Sequence, residues 1–383
     1  MPTFLDALAP RRIAVFRALQ LGDMLCSVPA LRALRAACPQ AHIALVGLPW
    51  ARDFVARYPT LLDEFIHFPG AYGFPEQTED ETGLPAFLES MRERQFDLAI
   101  QLHGSGGVAN TLVHGFGARA MAGFSQPGEM LPPGCFLPWP DALPEPQRYL
   151  ALMHVAGARG PALSDDSLWF PLRDEDHAAC EAILEHYSLD PERLVIVHPG
   201  AQLPSRRWLP ERFAEVADAL AFEGWQIAVT GTEPERDLTA GVLGAMTQTA
   251  HHLTGETTLG SLAALVSRAR LVVCNDTGIS HIAAAMHTPS VVIASGSDTR
   301  RWAPLDHDLH RVVADWPECR PCSFHTCPYG HQCAANVEAE PVAQLALTHL
   351  YETVPDLHAA APPPVSLRLA TTLRRPQRRL QRC

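Results

Sequence analysis

Lysine does not occur in the 383 residues, so all 30 fixed cations are arginine. Any site for an anion must therefore be built from arginine, histidine or backbone N–H. Long apolar runs are missing too. No stretch reaches the roughly 18–20 residues that a membrane-spanning helix requires, although 47% of the chain is hydrophobic. The opening residues, MPTFLDALAPRRIAVF, hold no basic segment followed by an apolar one, which is the mark of a secretory signal. These absences predict a cytoplasmic protein. A net charge of −12 argues against a nucleic-acid partner. The composition suits large cores, and the length suits two domains.

What is present is alternation. RIAVFRA (12–18), HIALVG (42–47), EFIHF (64–68) and DLAIQLH (97–103) read as strands, and VPALRALRAA (28–37) as a helix with Pro29 in its first turn. Two stretches read as loops: 68–85, long enough to be a lid, and the Pro/Gly-rich 125–147. The alternation then restarts with strands LVIVHPG (194–200), QIAVTG (226–231), LVVCND (271–276) and SVVIASG (290–296). Helices fall at 210–224 and 258–269. The pattern predicts an α/β protein of two Rossmann-like, doubly wound domains facing a cleft, with ligands at the carboxyl ends of the strands. The expected division is residues 1–165, residues 166–350 and a tail, 351–383.

Four strand ends carry polar residues that core packing does not need. Gly22 and Asp23 follow the first strand, where Asp23 is either a helix N-cap or a reacting carboxylate; no G-x-G-x-x-G stands there. His198-Pro199-Gly200 leads to Arg206, Arg207 and Trp208, either a surface arginine pair with a packing tryptophan or a cation offered to an anionic ligand. Glu233 and Glu235 follow Gly231, either as first-turn acids or as a grip on a ribose or base. The fourth end is CNDTGISHIAAAM (274–286). There Asp276 or Thr277 caps a helix that begins near Gly278, or the helix start binds an anion with His281 one turn in.

The ordered set LGDMLCSVPALRALR, VIVHPGAQLPSRRWLPERFAEVADAL and VVCNDTGISHIAAAMHTPSVVIAS, supported by DLAIQLHGS and MAGF, resembles glycosyltransferase family 9, the ADP-heptose:lipopolysaccharide heptosyltransferases. The resemblance spans roughly Arg12 to Val342 and implies the GT-B fold, with inverting transfer that requires no metal. It implies Asp23 as catalytic base. It places Arg206 where the family usually has lysine, on the donor diphosphate. It gives Asp276 to the sugar hydroxyls, the Thr277 and Gly278 N–H groups and His281 to the phosphates, and Glu233 to the ribose with Glu235 in reserve. Gly22, His103 and Ser105 fall on the acceptor side. The implied partners are an ADP-sugar donor and a glycolipid or glycan acceptor. The same fold acting on a protein acceptor, or a silent sugar-nucleotide binder, stands as the alternative; the retained Asp23, Asp276 and His281 oppose the silent one.

Four of the ten cysteines cluster as Cys319, Cys322, Cys327 and Cys333, with His325 and His331 between them. The short spacing is that of a structural Zn or Fe site, or else of reduced thiols or an oxidised pair. Downstream, six arginines and no acid lie between Arg368 and Cys383. That tail is either solvated or a peripheral contact with the inner face of an anionic cytoplasmic membrane, at about 1 kcal/mol per arginine.

Overall fold

The computed structural model describes residues 2–80 and 82–353. The basic segment 368–383 lies outside the described residues. Two sheets of six parallel strands form the frame. The first holds β1 (Arg12–Phe16), β2 (His42–Gly47), β3 (Glu64–His67), β4 (Leu98–Gln101), β5 (Ala120–Ser125) and β6 (Gly134–Pro138), in the order β3-β2-β1-β4-β5-β6. The second holds β7 (Leu194–His198), β8 (Gln226–Gly231), β9 (His251–Thr254), β10 (Leu271–Asn275), β11 (Ser290–Ile293) and β12 (His310–Val313), in the order β12-β11-β10-β7-β8-β9. Numbered from its own first strand, the second sheet repeats the order of the first. Each therefore has one switch point, between β1 and β4 and between β7 and β10, where a crevice opens at the carboxyl edge.

The strands are apolar because both faces are covered. β7 and β10 are buried along their whole length. Strand β6 lies within the stretch read as a loop: its Gly-Cys-Phe-Leu-Pro is short and ends in proline, which suits a sheet edge. The second proline-containing element also differs from its sequence reading. The first long helix is Leu21–Ala37, beginning seven residues before the apolar repeat suggests. Pro29 is thus inside the helix, where it removes one hydrogen-bond donor. Gly22 and Asp23 belong to the helix's first turn, not to a preceding loop.

The lobes are joined through packed side chains. Met24, Cys26 and Val28 of the Leu21 helix share one apolar cluster with Ile279, Ile282 and Ala283 of helix Gly278–Met286. A further helix, Asp174–His186, carries Asp176, which takes a two-armed ion pair from Arg57 of the first lobe directly over Gly260 of the second. The final described helix, Ala339–Thr353, packs on helix Pro210–Phe222 and closes the second lobe's outer core.

Candidate active site

The two switch points face each other. Gln20, Leu21, Gly22 and Asp23 line one side of a cleft of about 510 Å3, and Gln202, Leu203, Arg206, Asp276, Thr277, Gly278, His281, Ser297 and Trp302 line the other. The starts of the Leu21 and Gly278 helices meet so closely that a Cβ added at Gly22 would lie 2.7 Å from Cδ2 of His281. Gly22 is required by this approach of the opposite lobe.

Asp23 is no N-cap. It is the third residue of its helix, and its carboxylate accepts no hydrogen bond among the described residues. The side chain keeps 24% exposure, toward the cleft. Behind it stands Arg17, an arginine just past the end of β1 and wholly buried. Arg17 Nε donates to the Asp23 carbonyl at 2.8 Å and Nη1 to the Tyr149 hydroxyl at 2.7 Å. Among the described residues its Nη2 has no hydrogen-bond partner; it lies 3.6 Å from Asp23 Oδ1 and 4.0 Å from Glu145 Oε1. Burial lifts the Asp23 carboxyl above the usual carboxylate range; the Arg17 charge opposes that lift and Glu145 adds to it.

Glu145, 1% exposed, links the lobes. Arg301, from the short helix Thr299–Trp302, donates to it twice, Nε at 2.6 Å and Nη2 at 3.0 Å. Burial would raise the Glu145 carboxyl, but the Arg301 hydrogen bonds and charge, with Arg17, hold it below its ordinary value. Arg17, Glu145, Tyr149 and Arg301 all escape a motif reading, since they come from three separate segments and only Glu145 and Tyr149 share a helix. The one signal was an arginine closing an otherwise apolar strand.

On the facing lobe, Asp276 does not cap the Gly278 helix; its Oδ2 accepts from the Ser297 hydroxyl at 2.5 Å. Thr277 occupies the N-cap position without a side-chain bond, so no side chain closes this helix start. Asn275, read only as a turn residue, stitches the strand ends: it accepts from Trp208 N at 2.9 Å and donates to Pro199 O at 2.7 Å. Trp208 is fully buried. His281 is 5% exposed, with Nδ1 3.7 Å from the Cys26 sulfur. Burial lowers its pKa despite the Asp276 and Asp23 charges. At neutral pH it is an uncharged ring between the two helices, not a cation.

Beside the cleft, a hollow of about 280 Å3 runs along the second sheet, with Thr232, Glu235, Leu262, Ile279 and Ile282 among its walls. Glu235 stands here, its Oε2 accepting from Thr232 N at 2.8 Å. Glu233 does not: it is turned to solvent and tied to Arg236 by bonds of 2.6 and 2.5 Å. The reserve residue, not the first choice, faces the hollow, because the short helix Glu233–Glu235 directs successive side chains apart. Of the residues expected on the acceptor side, Ser105 Oγ accepts from Gln126 Nε2 at 2.7 Å, and His103 packs against Phe16.

The cysteine-rich segment is folded onto Arg206. Arg206 Nη2 donates to Cys322 O at 2.5 Å and Nη1 to Ser295 O at 3.2 Å. Ser205 N donates to His325 O at 3.1 Å, and His331 lies 3.1 Å from Ser205 O. The residues do not fit a metal as they stand. Among the described residues no group of three or more His, Cys, Asp or Glu converges as ligands, and the Cys327 sulfur instead accepts the N–H groups of Tyr329 and His331 at 3.4 and 3.3 Å. Among the described residues no helix is long and apolar enough to cross a membrane.

The model of the family described as glycosyltransferase family 9 (heptosyltransferase) matches residues 85–332. The chain belongs to glycosyltransferase family 9. Lipopolysaccharide heptosyltransferase 2 of Salmonella typhimurium is 29% identical over 308 residues, 76% of this chain and 85% of that protein. Its Escherichia coli counterpart is 28% identical over 310 residues, with the same shares covered. The solved E. coli ADP-heptose lps heptosyltransferase II superposes with a TM-score of 0.67 at 25% identity, covering 89% of this chain and 99% of that one. A family 9 structure from Veillonella parvula superposes with a TM-score of 0.73 at 22% identity, over 89% and 98% of the two chains. The iron-containing dodecameric glycosyltransferase TibC of E. coli shares the fold at a TM-score of 0.52 and 14% identity, over 90% and 77%. The fold is GT-B, and the protein is a glycosyltransferase.

Proposed function

We propose that this family 9 enzyme transfers heptose from ADP-heptose to a lipopolysaccharide-core acceptor with inversion. The observation that carries the reading is the uncapped start of the Gly278 helix facing Asp23 across the cleft. Backbone N–H groups at a helix start favour a diphosphate, and Arg206 adds a fixed charge beside them. The adenosine end fits the Glu235 hollow, which opens onto the cleft at Gln202, Thr277 and Gly278. Asp276 then lies at the sugar. Residues 1–165 would handle the acceptor and residues 166–350 the donor.

The step balances without a metal. The acceptor oxygen bonds to the anomeric carbon from the face opposite the diphosphate, Asp23 takes the hydroxyl proton, and the carbon–oxygen bond to ADP breaks. The negative charge that develops on ADP is met by the helix start and Arg206. His281 contributes a neutral contact. We read the cysteine-rich segment as structural, a brace for Arg206, whether or not an ion adds to it. Metal analysis of the purified protein and of Cys322→Ser tests that point.

The deciding experiment offers ADP-, UDP- and GDP-sugars with a core glycolipid acceptor. Turnover with ADP-heptose is expected. Preference for a UDP- or GDP-sugar would overturn the reading.

A further inference from the structure

Three consecutive backbone carbonyls after β11 are each taken by a donor from outside the turn. Ser295 O accepts from Arg206 Nη1 at 3.2 Å, Gly296 O from Cys322 N at 2.9 Å, and Ser297 O from Arg320 Nε at 2.9 Å. Two of those donors belong to the cysteine-rich segment. The turn passes very close to them. A Cβ on Gly296 would lie 2.9 Å from Arg206 Nη1 and 3.0 Å from Cys322 Sγ, and its φ of +67° favours glycine as well. Arg320 is itself fixed. It is buried, donates to Asp315 O at 2.5 Å and stacks on the Trp316 ring, 4.3 Å from its centre.

The pinned turn brings one side chain to Asp276. Ser297 lines the cleft beside it. Asp298, next in the chain, is spent: it accepts from Arg300 N, Nε and Nη2 at 3.1, 3.0 and 3.0 Å. The Ser297 hydroxyl gives its one hydrogen to Asp276 Oδ2 at 2.5 Å. Its oxygen is left with acceptor capacity only. Asp276 Oδ1 accepts no hydrogen bond among the described residues. Two neighbouring acceptors therefore face the place assigned to the sugar. Adjacent hydroxyls, each offering a hydrogen, complement that pair. A carboxylate or a deoxygenated carbon does not.

We propose that Ser297 is a second sugar-binding residue of the donor site, sharing a vicinal diol of the transferred sugar with Asp276. The cysteine-rich segment positions it, through the Arg320 and Cys322 bonds to the turn. Ser297 also fixes which Asp276 oxygen is free, so the carboxylate meets the sugar through Oδ1. The inference rests on the proposed ADP-heptose donor and names the part of its sugar that this site reads.

Titration calorimetry without acceptor compares ADP, which lacks the sugar, with ADP-heptose. Ser297→Ala should weaken ADP-heptose roughly tenfold, the scale of one hydrogen bond, and leave ADP affinity unchanged. Steady-state kinetics should show the donor KM raised and the acceptor KM unmoved. Equal loosening of ADP and ADP-heptose would mark a merely structural role and overturn the proposal. So would an unchanged ADP-heptose affinity. In a cycle with Asp276→Asn, the double variant should lose less than the product of the two single losses, because the pair works as a unit. Losses that simply multiply would also overturn it. Preference of wild type for a UDP- or GDP-sugar over ADP-heptose would overturn the donor reading instead.

Discussion

Asp23 combines a raised carboxyl with no hydrogen bond to hold it, and both follow from where the Leu21 helix begins. A base must be ionised to accept a proton, so transfer should fall as pH drops through its raised value. The acid limb of kcat/KM is expected above the ~4 of a free aspartate, and a limb at or below that value would count against Asp23 as the base. Asp23→Asn should cost on the order of 10²–10⁴-fold in transfer while calorimetry finds ADP binding retained. At the neighbouring position, Gly22→Ala places a methyl 2.7 Å from the His281 ring. Lost transfer and a lowered thermal midpoint are expected, because the clash falls on the buried His281 ring where the two helices join the lobes.

At the scale of elements, the loop after β7 and the cysteine-rich segment act as one piece. Arg206 uses both arms of its fork to hold the Ser295 and Cys322 carbonyls, which aims its charge. A lysine carries the charge but only a single point of attachment. Arg206→Lys should therefore weaken ADP binding by roughly tenfold, a loss of about one charge-assisted hydrogen bond, as titration calorimetry would read. A lysine variant that binds ADP as well as wild type would show that the fork is dispensable here.

Over the whole molecule, two buried ion pairs cross between the sheets: Arg57–Asp176 over Gly260, and Glu145–Arg301 behind Asp23. With an apolar cluster also shared by both lobes, unfolding is expected as a single calorimetric transition, and two resolved transitions would contradict this coupling. Arg301→Ala removes two charge-assisted hydrogen bonds from Glu145 but leaves it Arg148 and Tyr149, so the expected cost is about 1.5–3 kcal/mol. Denaturant unfolding should register that loss. The same variant should also move the acid limb of transfer, since Glu145 and Arg301 both act on Asp23.

Much of this molecule was legible in its sequence, because parallel strands buried on both faces must be apolar runs and helices must repeat on one face. The two Rossmann-like units, the carboxyl-edge location of the site, and Asp23, Arg206, Asp276 and Gly278 as cleft residues all rest on such local signals. Local patterns failed where one residue must be told from its neighbour or its distant partner. Glu235 rather than Glu233 faces the hollow because a short helix turned it inward. The cysteine-rich segment braces an arginine through the Cys322 carbonyl, a backbone contact that cysteine spacing does not encode. Arg17, Glu145 and Arg301 lie far apart in the chain and carry no spacing to read. The sequence by itself determined the layers and the edge at which chemistry occurs. Only the tertiary structure decided which buried charges meet there, because a charge's partner and its desolvation are set by distance in space and not along the chain.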